Sequence, residues 1–253
     1  MINFISDLDQ TLIYSKRNLV ENVPIICVEQ IDNKEITYMT EVAYNHFIQL
    51  LHVPYFRFIP CTLRDFNQTT RISFIKNYHP EFMICDGGGN VYIDGMKDIQ
   101  YRKEIEKTID VPLLEEIKEK IENIIKDGYV KFDNNSFLTC IFKDKETAVQ
   151  QLNEIKKQCN STQFYYDLQN RKYYIIPKEL NKEVAVKYLM KQYGLTNLIT
   201  SGDGNVDKDF VTLGNYILLP KHTVFQLKNE NRINKEKILN CEGIIEKIMD
   251  VTF

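Results

Sequence analysis

Strand–helix alternation opens and closes this 253-residue chain, but from about residue 97 a helix-strand-strand pattern, stated twice, interrupts it. No other feature constrains the fold as much. Before the interruption, the apolar run at residues 2–5 reads as a buried strand. Residues 22–29 and 35–40 read as a hairpin. Glu41–Leu51 reads as a helix with Val42, Ala43, Phe47, Ile48 and Leu51 at helical spacing. Residues 55–59 form a second buried strand, and a helical stretch runs on toward Lys76. A third strand, Phe82–Cys85, leads into Asp86-Gly87-Gly88-Gly89, with a short strand at 91–93 beyond. Three successive glycines break any regular element, as a sharp turn or a hinge. After the interruption come a helix over Lys182–Tyr193, strands at 198–200 and Tyr216–Leu219, and a closing helix over 235–249.

Alternating strands and helices imply a parallel sheet with short loops at its carboxyl end, where ligands bind. The middle segment differs. Helices at 111–126 and 146–158 alternate with strand pairs, 129–133 with 136–142 and 163–168 with 172–176, which turn at Asn134-Asn135 and Gln169-Asn170. This order makes an antiparallel sheet covered by two helices. The expected fold is α/β: a Rossmann-like parallel-sheet core from residues 1–89 and 178–253, with an inserted α+β (αββαββ) module over 90–177. The glycine run and Pro177 are the expected hinges.

The first strand ends in Ser6-Asp7-Leu8-Asp9-Gln10-Thr11, which places two carboxylates in one small volume. Crowded carboxylates repel unless a cation or a shared proton relieves them. The pattern suggests a Mg²⁺ site, a nucleophile with an acid/base partner, or both. An Asp-rich turn capping a helix is the plainer alternative for the segment taken alone.

Asp-x-Asp-x-Thr after an N-terminal strand resembles motif I of the haloacid dehalogenase (HAD) superfamily of phosphohydrolases. Three further segments resemble the remaining motifs in order and spacing: Thr62 after the second core strand, Lys182 at the start of the helix that follows the insertion, and Gly202-Asp203 with Asp207. The resemblance covers essentially the whole chain. The insertion resembles the C2B cap of sucrose-phosphatase-like and Cof-type sugar phosphatases.

The resemblance implies a role for each residue. Asp7 is the expected nucleophile, forming an aspartyl-phosphate, and Asp9 the acid/base. Mg²⁺ is the expected cofactor, held by the Asp7 carboxylate, the Asp9 main-chain carbonyl, Asp203 and Asp207. Thr11, Thr62, Arg64 and Lys182 are the expected phosphate-binding residues, with Lys182 a point charge for the phosphoryl group and Asp7. Two positions depart from the pattern. Leu63 stands where such phosphatases carry Gly in Thr-Gly-Arg. Val206 stands where an Asn precedes the second acid, with Asn205 a neighbouring substitute. Asp209 is an extra acid, read as a solvated helix-start residue. Arg102, Lys103, Arg171 and Lys172 are candidate cations of the cap for the substrate.

The expected function is Mg²⁺-dependent hydrolysis of a small phosphorylated metabolite, a sugar phosphate. Phosphotransfer of the phosphomannomutase type and a catalytically weak regulatory protein on the same scaffold are the alternatives. A net charge of −3 offers no global basic field for nucleic acid. No apolar run is long enough to span a bilayer, and the acidic start does not read as a signal peptide. Six scattered cysteines without a Cys-x-x-Cys pair read as buried thiols of a cytoplasmic protein. The four histidines show no ligand spacing. A monomer or weak homodimer is expected.

Overall fold

A computed structural model describes residues 1–19, 22–159, 162–233 and 239–253. The chain divides into two compact units, Met1–Asp98 with Lys182–Phe253, and Ile99–Asn181.

The first unit is built on a five-stranded parallel sheet. Its strand order is Glu230–Arg232, Tyr216–Leu219, Leu198–Ser201, Ile2–Ser6, Phe56–Pro60. The opening strand is therefore central, with Phe4 in register with Ile199 on one side and Phe58 on the other. Strands covered on both faces read as largely apolar runs, as 2–5 and 56–59 do apart from Asn3 and Arg57. One face packs on the helix Glu41–Leu51, which Thr40 starts: its hydroxyl accepts the Ala43 N–H at 3.2 Å. Ala43, Phe47, Leu50 and Leu51 are buried on this helix, whereas Val42, expected on the same face, is exposed. Phe47 meets Phe58 and Phe74 edge-on, with ring centroids 4.9 and 5.2 Å apart.

Two antiparallel sheets flank this core. One joins Tyr14–Ser15 to the hairpin Ile25–Ile31/Lys34–Thr40, whose turn holds Asp32 and Asn33 at positive φ. The first hairpin strand sits later than the expected 22–29, because the Asp-Asn turn sets the register, while the second matches the expected 35–40 within one residue. The other sheet joins Phe82–Cys85, Asn90–Ile93 and Met96–Lys97. Phe82–Cys85 meets the parallel sheet through a single bridge, Cys61 to Ile84, and is not a full core strand. The glycine run is buried in the turn between Phe82–Cys85 and Asn90–Ile93, within the first unit. Asp86, Gly87 and Gly88 all take positive φ there. The run is thus a structural turn rather than a hinge, and the chain leaves the first unit later, after Asp98. The first unit accordingly keeps Asn90–Ile93, which the sequence reading assigns to the insertion. The closing helix is Asn240–Thr252; residues 235–238 of its expected start lie outside the described residues.

The second unit has its own core. Its antiparallel sheet runs Phe164–Gln169, Lys172–Pro177, Phe137–Phe142, Gly128–Asp133. Helices Val111–Glu122 and Lys145–Lys157 pack on it. Leu138, Cys140 and Ile175 from the sheet and Ile117, Ile121, Ala148 and Ile155 from the helices are buried. Asp110 and Asp144 cap the two helices, accepting the N–H of Leu113 and Thr147 at 3.0 and 2.8 Å. An additional helix, Ile99–Glu106, precedes this set. It buries Arg102, whose guanidinium donates to Ser136 Oγ at 2.9 Å and to the Asn134 carbonyl at 3.2 Å. Arg102 therefore pins the 134–136 turn and is not an open substrate cation. Lys103, Arg171 and Lys172 are exposed.

Candidate active site

Four loops at the carboxyl end of the parallel sheet build one site, all within the first unit. The first leaves Ile2–Ser6. The Asp7 N–H donates to the Ser201 carbonyl at 2.9 Å, which ties this loop to the neighbouring strand. The Leu8 carbonyl accepts the N–H groups of Leu12 and Ile13 at 2.9 Å, and Leu8, Leu12 and Ile13 are all buried. Apolar anchors on both sides of Asp9 thus hold the acidic loop in a tight turn, with Gln10 at φ 66°.

Asp7 is buried and accepts a 2.7 Å hydrogen bond from Lys182 Nζ. The same ammonium donates to Asp207 Oδ1 at 2.6 Å. Lys182 is the first residue of the helix Lys182–Tyr193, is 1% exposed, and lies 5.6 Å from the centre of the Phe210 ring. Burial alone would lower its pKa. The Asp207 and Asp7 carboxylates outweigh burial and hold the ammonium well above its ordinary range. Asp7 shifts the opposite way from a simple ion-paired acid. Burial pushes its pKa up, Lys182 draws it back, and Asp207, Asp203 and Asp9 add to the rise. Asp207 is raised for the same leading reason.

Asp207 also organises its own loop. Its Oδ2 accepts the N–H groups of Asp203 and Gly204 at 3.1 and 2.9 Å. Asp203 accepts from the Thr11 hydroxyl at 3.1 Å, and its other oxygen is 3.1 Å from His222 Nε2. Carboxylate oxygens of Asp7, Asp203 and Asp207 all lie within 4.8 Å of one another, a group able to hold a metal ion. Three carboxylates against one ammonium leave excess negative charge, which a cation would offset.

Asp9 stands beside this group rather than in it. Arg64 grips its carboxylate through Nε at 2.7 Å and Nη2 at 2.8 Å, a bidentate pair. Arg64 Nη1 donates to Glu29 Oε2 at 2.9 Å, and Arg71 Nη2 donates to Glu29 Oε1 at 3.1 Å. Burial opposes the Arg64 charge, but Asp9 and Glu29 outweigh it and raise its pKa. The Arg64 guanidinium, expected at the phosphate, is here engaged by two carboxylates. Thr62 is buried; its hydroxyl accepts the Arg64 N–H at 3.1 Å, and its own N–H donates to the Ile84 carbonyl at 2.9 Å.

The two departures from the motif pattern have visible settings. Leu63 lies against Gly87: a Cβ there would sit 3.0 Å from Leu63 Cδ2, so the missing side chain at 87 accommodates the added one at 63. Val206 is half-buried and Asn205 is exposed. Asp209 is half-buried in the short helix Lys208–Val211. Sequence reasoning missed Glu29, Arg71 and His222. Glu29 sits at register shifts of its hairpin, where Val28 and Glu29 are buried in succession, so strand alternation gave no signal for it.

A parallel-sheet core with an α+β insertion and an acidic group at the sheet's carboxyl end defines a HAD-superfamily phosphohydrolase. The chain belongs to the sucrose-6F-phosphate phosphohydrolase family, whose sequence model matches residues 2–249. No curated protein matches it at a significant level. Among solved structures it is similar to the sucrose-phosphatase of Synechocystis sp., solved with sucrose and phosphate. That match has TM-score 0.65 and 13% identity, covering 100% of this chain and 98% of the other. A haloacid dehalogenase-like hydrolase from Bacteroides thetaiotaomicron matches at TM-score 0.59 and 12% identity, over 100% and 99% of the two chains. The C-terminal domain of the C. albicans trehalose-6-phosphate phosphatase matches at TM-score 0.58 and 14% identity, over 97% and 90%. These likenesses establish the fold. Among the described residues, no helix is long and apolar enough to cross a membrane.

Proposed function

We propose that this protein is a Mg²⁺-dependent phosphatase that hydrolyses a sugar phosphate through an aspartyl-phosphate on Asp7. The observation that carries the reading is the buried Lys182 ammonium, 2.7 Å from Asp7 and 2.6 Å from Asp207, inside a three-carboxylate group. Phosphate monoesters are anionic and repel nucleophiles, so a carboxylate can attack phosphorus only where positive charge is fixed beside it. All-oxygen donors of this kind suit Mg²⁺. Asp7, Asp203, Asp207 and the Asp9 carbonyl would hold the ion, which when bound supplies charge against the phosphoryl oxygens.

The residues of the chain divide the remaining work. An Asp7 oxygen forms a bond to phosphorus as the ester P–O bond breaks, and the departing sugar oxygen takes a proton from Asp9. Water then attacks phosphorus, gives its proton to the Asp9 carboxylate, and releases phosphate with Asp7 restored. Lys182 orients Asp7 and binds a phosphoryl oxygen. The buried Thr62 and Thr11 would add hydroxyls beside the phosphoryl group, and Arg64 orients Asp9. The named substrates of the family and of its structural matches direct the test. A panel of metabolite phosphates including sucrose 6F-phosphate and trehalose 6-phosphate, assayed with Mg²⁺ and with chelator, should show metal-dependent phosphate release from at least one sugar phosphate. Metal-independent release, or none across the panel, would overturn the reading.

A further inference from the structure

Among the described residues, Glu29 and Asp86 are charged side chains nearly as buried as Lys182 yet outside the proposed chemistry, and Glu29 is tied to the Arg64 guanidinium. Glu29 is 1% exposed. A buried carboxylate is costly unless fully paired, and Glu29 is paired on both oxygens. Oε2 accepts from Arg64 Nη1 at 2.9 Å and from the Thr37 hydroxyl at 3.2 Å. Oε1 accepts from Arg71 Nη2 at 3.1 Å and Nε at 3.3 Å. The hairpin's register shifts at Glu29 turn this residue inward where an ordinary strand would face it out. The result is a chain of alternating charge, Asp9–Arg64–Glu29–Arg71, spanning four segments of the first unit.

A guanidinium has a planar fork, so which edge it offers one carboxylate depends on what holds the other edge. Glu29 takes Nη1, leaving Nε and Nη2 for the two oxygens of Asp9. We propose that Glu29 is a positioning residue for the acid/base Asp9: anchored by Arg71, it fixes the Arg64 edge that sets the direction of the Asp9 carboxyl. This rests on the reading of Asp9 given above. Without Glu29, Arg64 Nη1 keeps only the Gln68 carbonyl at 3.4 Å, so the fork that sets the plane of Asp9 is held less firmly.

The test uses leaving-group dependence, which a purely structural role would not move. Phosphoryl transfer from an alkyl phosphate needs a proton on the departing oxygen. Transfer from p-nitrophenyl phosphate needs little, because its leaving group is acidic. The quantity compared is kcat/KM, which reports steps up to the first irreversible one. Asp9→Asn sets the pattern, with a loss on the order of 10²-fold or more on the alkyl ester and a much smaller loss on the aryl ester. Glu29→Gln should follow the same pattern at roughly 10- to 100-fold on the alkyl ester, as expected for a displaced catalytic group. Arg71→Gln, at a side chain 38% exposed, should show a weaker version and keeps the test available if Glu29→Gln does not fold. Equal losses on both esters in a folded Glu29 variant, or in Arg71→Gln if only that folds, would overturn the proposal. Failure of the underlying reading looks different: Asp9→Asn itself shows no leaving-group dependence, and the proposal falls with it.

Discussion

Gly202 and Asp207 occupy each other's space: a Cβ on Gly202 would lie 2.6 Å from the Asp207 Cβ and 2.9 Å from its Cγ. The absence of a side chain at 202 is what lets Asp207 fold back over its loop, accept the N–H groups of Asp203 and Gly204, and reach Lys182. Gly202→Ala should therefore push Asp207 off Lys182. Overpacking of this kind costs about 1–3 kcal/mol, and turnover should fall with it. Denaturant melts and steady-state assays measure both. A variant with wild-type stability and rate would mean that the loop gives way without moving Asp207.

Asp7→Asn should reduce turnover to background while leaving the fold intact, because the amide is isosteric but cannot supply the attacking oxygen. It also carries a pH signature in metal-free protein. The Asp7 pKa lies well above the ordinary carboxylate range, chiefly through burial. The folded state therefore binds more protons than the unfolded chain in that window, and stability falls as pH rises from about the ordinary carboxylate pKa to the raised folded value. The amide removes this slope. Relative to Asp7→Asn, wild-type protein in chelator should lose stability over that interval and then level off. A difference independent of pH would show that Asp7 is not held in a charge-penalising setting.

Lys182→Met removes the ammonium shared by two buried carboxylates and leaves both unpaired. Deleting one partner of a buried ion pair typically costs about 3–5 kcal/mol. That loss should appear in metal-free denaturation and shrink when Mg²⁺ is added. A loss below roughly 1 kcal/mol would mean that the carboxylates take up protons or water at little cost.

Asp203→Ala should raise the Mg²⁺ concentration needed for half-maximal activity far more than it changes metal-free stability. Asp203 is part of the three-carboxylate group, and removing one of several like charges relieves repulsion in the apo protein. Titrating activity against Mg²⁺ decides it, since an unchanged midpoint would remove Asp203 from the metal shell.

The residues of the site were legible because each stands at a boundary between elements. Asp7 and Asp9 follow an apolar strand, Thr62 follows another, Lys182 opens a helix, and Asp203 with Asp207 fills a Gly-rich loop. Such positions can be read from local apolar runs and breakers. Glu29 and Arg71 could not be read this way. The burial of Glu29 depends on a register shift, and Arg71 meets it from far along the chain; neither leaves a periodic trace. The same limit explains Arg102, whose charge suggested a substrate contact until the 134–136 turn claimed it. It also explains the glycine run, whose flexibility in sequence is spent on three successive positive-φ residues in a buried turn.

The central place of the Ile2–Ser6 strand has a consequence for synthesis. Its partner Leu198–Ser201 leaves the ribosome only after the entire second unit, and Lys182 meets Asp7 across a sequence separation of 175 residues. Long-range closures of this kind are slow relative to local ones. The second unit is contiguous and can complete its sheet while the opening strand still lacks one neighbour. Asp7 therefore spends most of translation without Lys182, and a half-made chain carries an unpaired apolar edge that must be shielded until the late strands arrive.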